Sequence, residues 1–379
     1  MGASVQRSTH SQAMSIVFIG LAITSSWGNG HATTYRSLIK GLYRLGHRVT
    51  FLEQDQPWYA ENRDALRMAF CETQLYRDVD DLRARFAARV RSADAVIVGS
   101  YVRQGAAVCD WVLNEARGVR AFYDIDTPVT LSCLRTDTCE YLRTHQIGAF
   151  DLMLSFSGGP TLTKLETKHG AKRAAALYCS VDTERYQPTE VRRDLDLGYM
   201  GTYSVDRQPA LEELLSEPAR RLPERRFMVV GAQYPHDLPW PANVSRQDHL
   251  VPNQHAEFYG RQRWTLNITR ADMRAAGYSP SVRLFEAAAC GTPIISDAWP
   301  GIEDVLVPNE EIIIARTSDD VVRCIRDVAT EDARRLARAA RERVLAAHSG
   351  ERRAEELIEY LHDAQRSAVS GSGRKVAII

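Results

Sequence analysis

The stretch "ITRADMRAAGYSPSVRLFEAAACGTPIISDAWPGIEDVL", residues 268–306, changes character three times. An apolar strand ends at Thr269, an irregular loop runs to Tyr278, and "SPS" opens a helix that Gly291 closes before a second apolar strand, "PIISD". Ser279 or Ser281 is placed to cap that helix and Pro280 to fit its first turn. A strand, loop, helix and strand in this order are one winding of a parallel α/β sheet. The helix start is also a place for phosphate, because its free N–H groups and the positive end of its dipole point outward. Arg283 falls in the first turn and Glu286 one turn later. A carboxylate there can accept two hydroxyl hydrogen bonds from a ribose while the helix end holds the phosphates of the same nucleotide. The plainer alternative is a surface ion pair between Arg283 and Glu286, three residues apart on one helix. The proline-led start and the "CGTP" turn into a strand favour the nucleotide.

Outward from this segment, strand-length apolar runs alternate with helical periodicity through most of the chain. Strands are expected near 15–23, 48–53, 94–99, 120–124, 151–156 and 175–179, and again near 195–200, 227–231, 264–268, 293–297 and, more weakly, 311–315. A polar stretch, "TEVRRD", separates the two series. The expectation is therefore two doubly wound, Rossmann-like α/β domains facing a cleft, one over 14–187 and one over 193–350. A helix over 351–366 is free to cross back to the first domain, and the tails 1–12 and 367–379 read as disordered. The strand C-termini of both domains would surround the cleft, where open α/β sheets bind ligands.

Composition narrows the function. Lys+Arg and Asp+Glu both number 48 in 379 residues, so neither nucleic acid nor a membrane surface gains its usual electrostatic attraction. The seven cysteines are scattered without a CxxC, which fits reduced thiols in a cytoplasmic protein better than a disulfide framework or a zinc site. The apolar run at 14–23 is too short to span a bilayer and lacks the flanks of a signal peptide.

The stretch "SSWGNGHATTYRSLIKGLYRLGHRVTFLE", residues 25–53, puts Gly28 and Gly30 before a helix and Glu53 at the end of the next strand, the outline of a nicotinamide site. Two details oppose that reading. "TSSW" intervenes between strand and first glycine, and the third glycine position is Thr33. The glycines instead suit a longer loop that brings backbone N–H groups to an anion across the cleft, with Glu53 incidental to the ligand.

"RLFEAAACGTPIISDAWPGIEDVL" resembles the donor-binding segment of GT-B glycosyltransferases, in particular the group-1 and spore-maturation-protein-like families. "GNGHATTYRSLIKGLYRLGHRVTFLE" is similar to their N-terminal glycine loop, and "GYMGTYSVDRQPALEELL" to the start of their second domain. The resemblance implies transfer of a sugar from a nucleoside-diphosphate donor to a small-molecule or glycan acceptor. It implies that Glu286 binds the ribose, that Arg283, the backbone at Ser281 and Arg207 face the diphosphate, and that Val251 and Pro252 lie against the base. Gly28 and Gly30 would approach the donor phosphate from the first domain.

Transfer requires a stabilised leaving diphosphate and an activated acceptor hydroxyl. Helix N-termini and arginines meet the first need without a cofactor or metal, and no metal-ligand cluster is visible in the sequence. For the second, His31 at the start of its helix is the leading general base, matching the histidine of inverting members of the resembled family. Asp124 and Asp126 in "YDIDTPVTL" are expected to point toward the cleft, and "SFSGGP", residues 155–160, to contact donor phosphate or acceptor. Retaining group-1 enzymes carry a second glutamate where this chain has Tyr278, which leaves the stereochemistry open. Two other functions fit the same outline: a nucleotide-sugar-binding scaffold without catalysis, and a sugar-nucleotide epimerase.

Overall fold

The computed structural model describes residues 12–27 and 30–373. A seven-stranded sheet is formed by β1 Ser15–Gly20, β2 Arg48–Gln54, β3 Glu72–Tyr76, β4 Ala95–Gly99, β5 Val119–Asp124, β6 Leu152–Ser155 and β7 Ala174–Ala176. A six-stranded sheet follows, of β8 Leu195–Met200, β9 Phe227–Val230, β10 Val244–Gln247, β11 Gln262–Asn267, β12 Ile294–Ser296 and β13 Ile313–Ile314. Their orders are β3-β2-β1-β4-β5-β6-β7 and β10-β9-β8-β11-β12-β13. The ladders are parallel in both. The strand order reverses between β1 and β4 in the first sheet and between β8 and β11 in the second, and such switch points leave a crevice at the strand C-termini.

The helices include α1 His31–Arg44, α2 Thr127–Arg135, α3 Pro160–Thr167, α4 Ala271–Ala276, α5 Val282–Ala289 and α6 Gly350–Gly373, of which α1, α4 and α5 line the crevice. One apolar core runs from Phe18, Phe51 and Tyr123 under the first sheet, through Phe285 and Trp299, to Leu357 and Leu361 of α6. Thus α6 returns from the second sheet to cover α1. The two cross so closely that a Cβ on Gly41 would stand 2.2 Å from the Gly350 carbonyl oxygen, so both must be glycine.

Several expectations are corrected. β1 ends at Gly20 rather than at Ile23, because Glu53 captures the chain beyond it: its carboxylate accepts from the Ile23 and Thr24 N–H groups at 2.6 and 2.9 Å and from the Thr24 hydroxyl at 2.6 Å. Glu53 therefore fixes the chain as it leaves β1, at Ile23 and Thr24. β3 and β10 lack the apolar run that marks the other strands, since each is an edge with partly solvated residues. The tail from 367 is not disordered throughout, because α6 continues to Gly373. Extending a helix costs far less than nucleating one. The expected disorder of 1–11 and 374–379 lies outside the described residues. No helix among the described residues is long and apolar enough to cross a membrane.

Candidate active site

Between the two switch points lies a cavity of about 390 Å³. The loop after β1 contributes Gly30 and His31, the loop after β5 Asp126, and the loop after β8 Arg207. From the other side come Arg270 after β11, and Ser281, Arg283 and Glu286 at the start of α5. The starts of α1 and α5 meet here: a Cβ on Gly30 would lie 3.9 Å from Val282 Cγ1. Two helix dipoles thus direct their positive ends into one space. Gly28 lies outside the described residues.

Ser281 occupies the N-cap position of α5, but its hydroxyl donates to Asn267 Oδ1 at 2.6 Å instead of capping the helix. Pro280 therefore precedes the helix rather than standing in its first turn, and Ser279 is turned away to its own contacts. The α5 N–H groups are left without a side-chain cap. Arg283 and Glu286 do not pair with one another. The Arg283 guanidinium donates to the Met200 carbonyl and to Asn267 Oδ1 and lies 4.8 Å from the centre of the Tyr199 ring. Glu286 is buried and accepts from the Tyr259 hydroxyl at 3.0 Å. Burial and the Glu286 charge beside it hold the Tyr259 hydroxyl far above the ordinary tyrosine range, so it stays a donor. The Tyr186 hydroxyl also lies against this carboxylate, which still lines the cavity with lone pairs left for a ligand.

Arg207 donates to the Thr202 carbonyl at 2.7 Å, while its Nε is buried with no partner. An orphaned buried N–H is costly, and an incoming acceptor would relieve it. Pro252 lines the cavity beside His255, whose ring bridges the Tyr186 hydroxyl and the Leu250 carbonyl. Val251 does not reach it; the side chain points to solvent because Val251 is extended just before the short turn at Pro252–Gln254.

His31 is the first residue of α1, buried, with Nδ1 unpartnered and its ring edge-on to Tyr101 at 5.4 Å. Burial lowers its pKa, partly offset by the nearby Asp126 charge, so the imidazole is neutral and able to accept a proton at pH 7. Asp126 accepts from the Tyr101 hydroxyl at 3.0 Å and faces Arg270 Nη1 at 3.5 Å across the cleft. Asp124 corrects the expectation: it points inward and is buried, accepting from the Thr130 hydroxyl and the Asp126 N–H. Desolvation raises its pKa to about 7, which disqualifies it as a cleft base.

The "SFSGGP" loop is also diverted. Ser157 bonds the Ser279 hydroxyl at 2.5 Å, and the Gly158 N–H donates to the Tyr278 carbonyl at 2.9 Å. The Tyr278 ring is wedged between Gly159 and Gly301. Ser157, Gly158 and Gly159 thus join the two sheets, and of this loop Phe156 lines the cavity. Tyr101, Tyr259, Asn267 and Arg270 escaped the sequence reading. Only Arg270 lay within a segment already singled out, one residue past a strand end where switch-point ligands gather.

With this geometry in hand, residues 207–359 match the family model for glycosyl transferase-like domains. Among solved structures, sucrose-phosphate synthase from Thermosynechococcus elongatus shares 14% identity over 93% of this chain and 100% of its own, with a TM-score of 0.69. HepE from Anabaena, in complex with UDP-glucose, shares 13% over 92% and 100%, with a TM-score of 0.68. An alpha-glucosyltransferase in complex with UDP-glucose and DNA containing an abasic site shares 12% over 92% and 100%, with a TM-score of 0.70. A comparison with curated proteins gives no match. The chain has the GT-B fold of these glycosyltransferases, and its second half carries a glycosyl transferase-like domain.

Proposed function

We propose that this protein is a metal-independent glycosyltransferase that moves a sugar from a nucleoside-diphosphate donor to a small-molecule or glycan acceptor. The observation that carries the reading is the meeting of two uncapped helix starts, Arg207 and Arg283 around one cavity whose far wall is the buried Glu286 carboxylate. That pattern suits a diphosphate followed by a ribose. Positive charge and helix ends take up the leaving group's negative charge, and His31, neutral and unpartnered at Nδ1, accepts the acceptor's proton. The neighbours bound to UDP-glucose support a nucleotide sugar as donor. A cytoplasmic setting fits seven cysteines that are free thiols.

The test is thermal stabilisation by UDP-, GDP- and dTDP-sugars in EDTA buffer, followed by turnover with the stabilising donor. Wild type should bind one base, and Glu286→Ala should lose at least about a hundredfold in donor affinity, as two charge-assisted hydroxyl bonds disappear. His31→Ala should keep donor affinity and lose turnover. Unchanged binding by the Glu286 variant would remove the ribose assignment. Donor binding by wild type with no nucleotide release toward any acceptor or water would leave a binding protein, not a transferase. Turnover abolished by EDTA alone would overturn metal independence.

A further inference from the structure

Three guanidinium groups line the cavity, and they are not held alike. Arg283 and Arg207 are each anchored by a backbone carbonyl of their own domain. Arg270 has no such anchor. Its backbone is rigid, because Asp297 takes both the N–H and the hydroxyl of the preceding Thr269, at 3.1 and 2.9 Å. Its head lies between two carboxylates, Asp126 of the first domain at 3.5 Å and Asp206 of the second at 3.9 Å, and beside the Tyr101 hydroxyl, with neither carboxylate held bidentately. The side chain is 36% exposed, on the cleft. The groups around Asp126 are the Tyr101 hydroxyl from the loop after β4, His31 from α1, the buried Asp124 from β5, and Arg270. Of these, Arg270 alone comes from the opposite domain.

We propose that Arg270 is a donor-diphosphate ligand that exchanges partners: Asp126 holds it in the empty cleft, and the terminal phosphate takes it when the donor enters. The inference rests on the nucleotide-sugar reading of the cavity. The cavity lining carries three arginines and the carboxylates of Asp126, Asp248 and Glu286; Asp248 is paired with Arg246 outside it, and only Arg270 is bridged to a lining carboxylate, Asp126. A diphosphate adds negative charge, and Arg270 is the arginine able to answer it, since a phosphate offers the bidentate fork geometry that a single 3.5 Å contact lacks. The exchange leaves Asp126 with the Tyr101 hydroxyl alone, beside His31. Its negative charge then favours the imidazolium that forms when His31 takes the acceptor proton. Donor arrival would thereby prime the base, so that hydroxyl activation follows donor binding.

The experiment measures binding of the UDP/UMP, GDP/GMP and dTDP/dTMP pairs by calorimetry to full-length wild type, Arg270→Ala and Arg270→Lys, with a thermal melt of each apo protein as the folding control. For the base that wild type binds, Arg270→Ala should weaken the diphosphate by about ten- to a hundredfold, the range of one charge-assisted contact, and leave the monophosphate unchanged. Arg270→Lys should fall between. Asp126→Asn should tighten the diphosphate when Arg270 is present and not in the Arg270→Ala background. Equal losses for mono- and diphosphate, or none for either, overturn the phosphate assignment. The same gain from Asp126→Asn in both backgrounds overturns the exchange. Failure of wild type to bind any of the six nucleotides instead sinks the nucleotide-sugar reading itself.

Discussion

Asp124 and Asp126 stand two residues apart and do opposite things. The backbone turn after β5 sends Asp126 to the cleft and Asp124 into the core, where desolvation keeps it protonated to about pH 7. An unfolded aspartate titrates near 4. Between those values the native state binds more protons than the unfolded one, so this residue makes stability fall as pH rises from about 4 to 7. Asp124→Asn keeps the Oδ1 acceptor for Thr130 and Asp126 and removes the titration. The melting temperature of the variant relative to wild type should therefore rise by several degrees between pH 5 and pH 8. An equal gap at both would mean that Asp124 is ionised in the fold. The sequence could place both aspartates at a strand end but not choose between their directions, because residues two apart on a strand share a face and only the turn that begins after Asp124 sends them apart. Glu286 and Arg283 were legible because helix start, charge and spacing all lie within one short segment. Tyr101 meets Asp126 only when β4 and β5 lie side by side, and Arg270 only once the two sheets face each other.

At the scale of elements, the second sheet's loop 277–281 is stitched to the first sheet's loop 155–160 through Ser157–Ser279 and Gly158–Tyr278. Gly159 adopts φ +53°, and a Cβ there would fall 2.5 Å from the Tyr278 ring. Gly159→Ala should cost about 1–3 kcal/mol from the backbone alone. It should also lower the melting temperature and part the two loops, seen as a larger radius of gyration in solution scattering. Adding Tyr278→Ala should restore the compact radius, since the ring is what the methyl strikes. A compact single variant would show that the wedge does not set the spacing. Strands with apolar cores, and helices with clear stripes, were readable one by one. The edge strands β3 and β10 were not, because a half-solvated edge carries little of the apolar signal on which such reading depends.

For the whole molecule, α6 ties the ends together. Leu357 and Leu361 are fully buried and Ile358 nearly so, in the core shared with α1 and Phe285. Burying side chains of this kind contributes about 1.5–3 kcal/mol each, against about 5–15 kcal/mol for a typical domain. A chain ending at Ser349 should melt at least about 10 °C lower, with the first domain unfolding first. An unchanged melt would mean that α6 is dispensable. The return of the chain has a further result. At the start of α6, Val181 and Gly350 exchange backbone bonds with His348 and one another: the Val181 N–H donates to the His348 carbonyl at 3.1 Å and the Gly350 N–H to the Val181 carbonyl at 3.2 Å. The outgoing and homeward passages of the polypeptide are therefore spliced side by side at one edge, like the spine of a book. A second seam, Ser157–Ser279 and Gly158–Tyr278, binds the two covers a little way in from that spine.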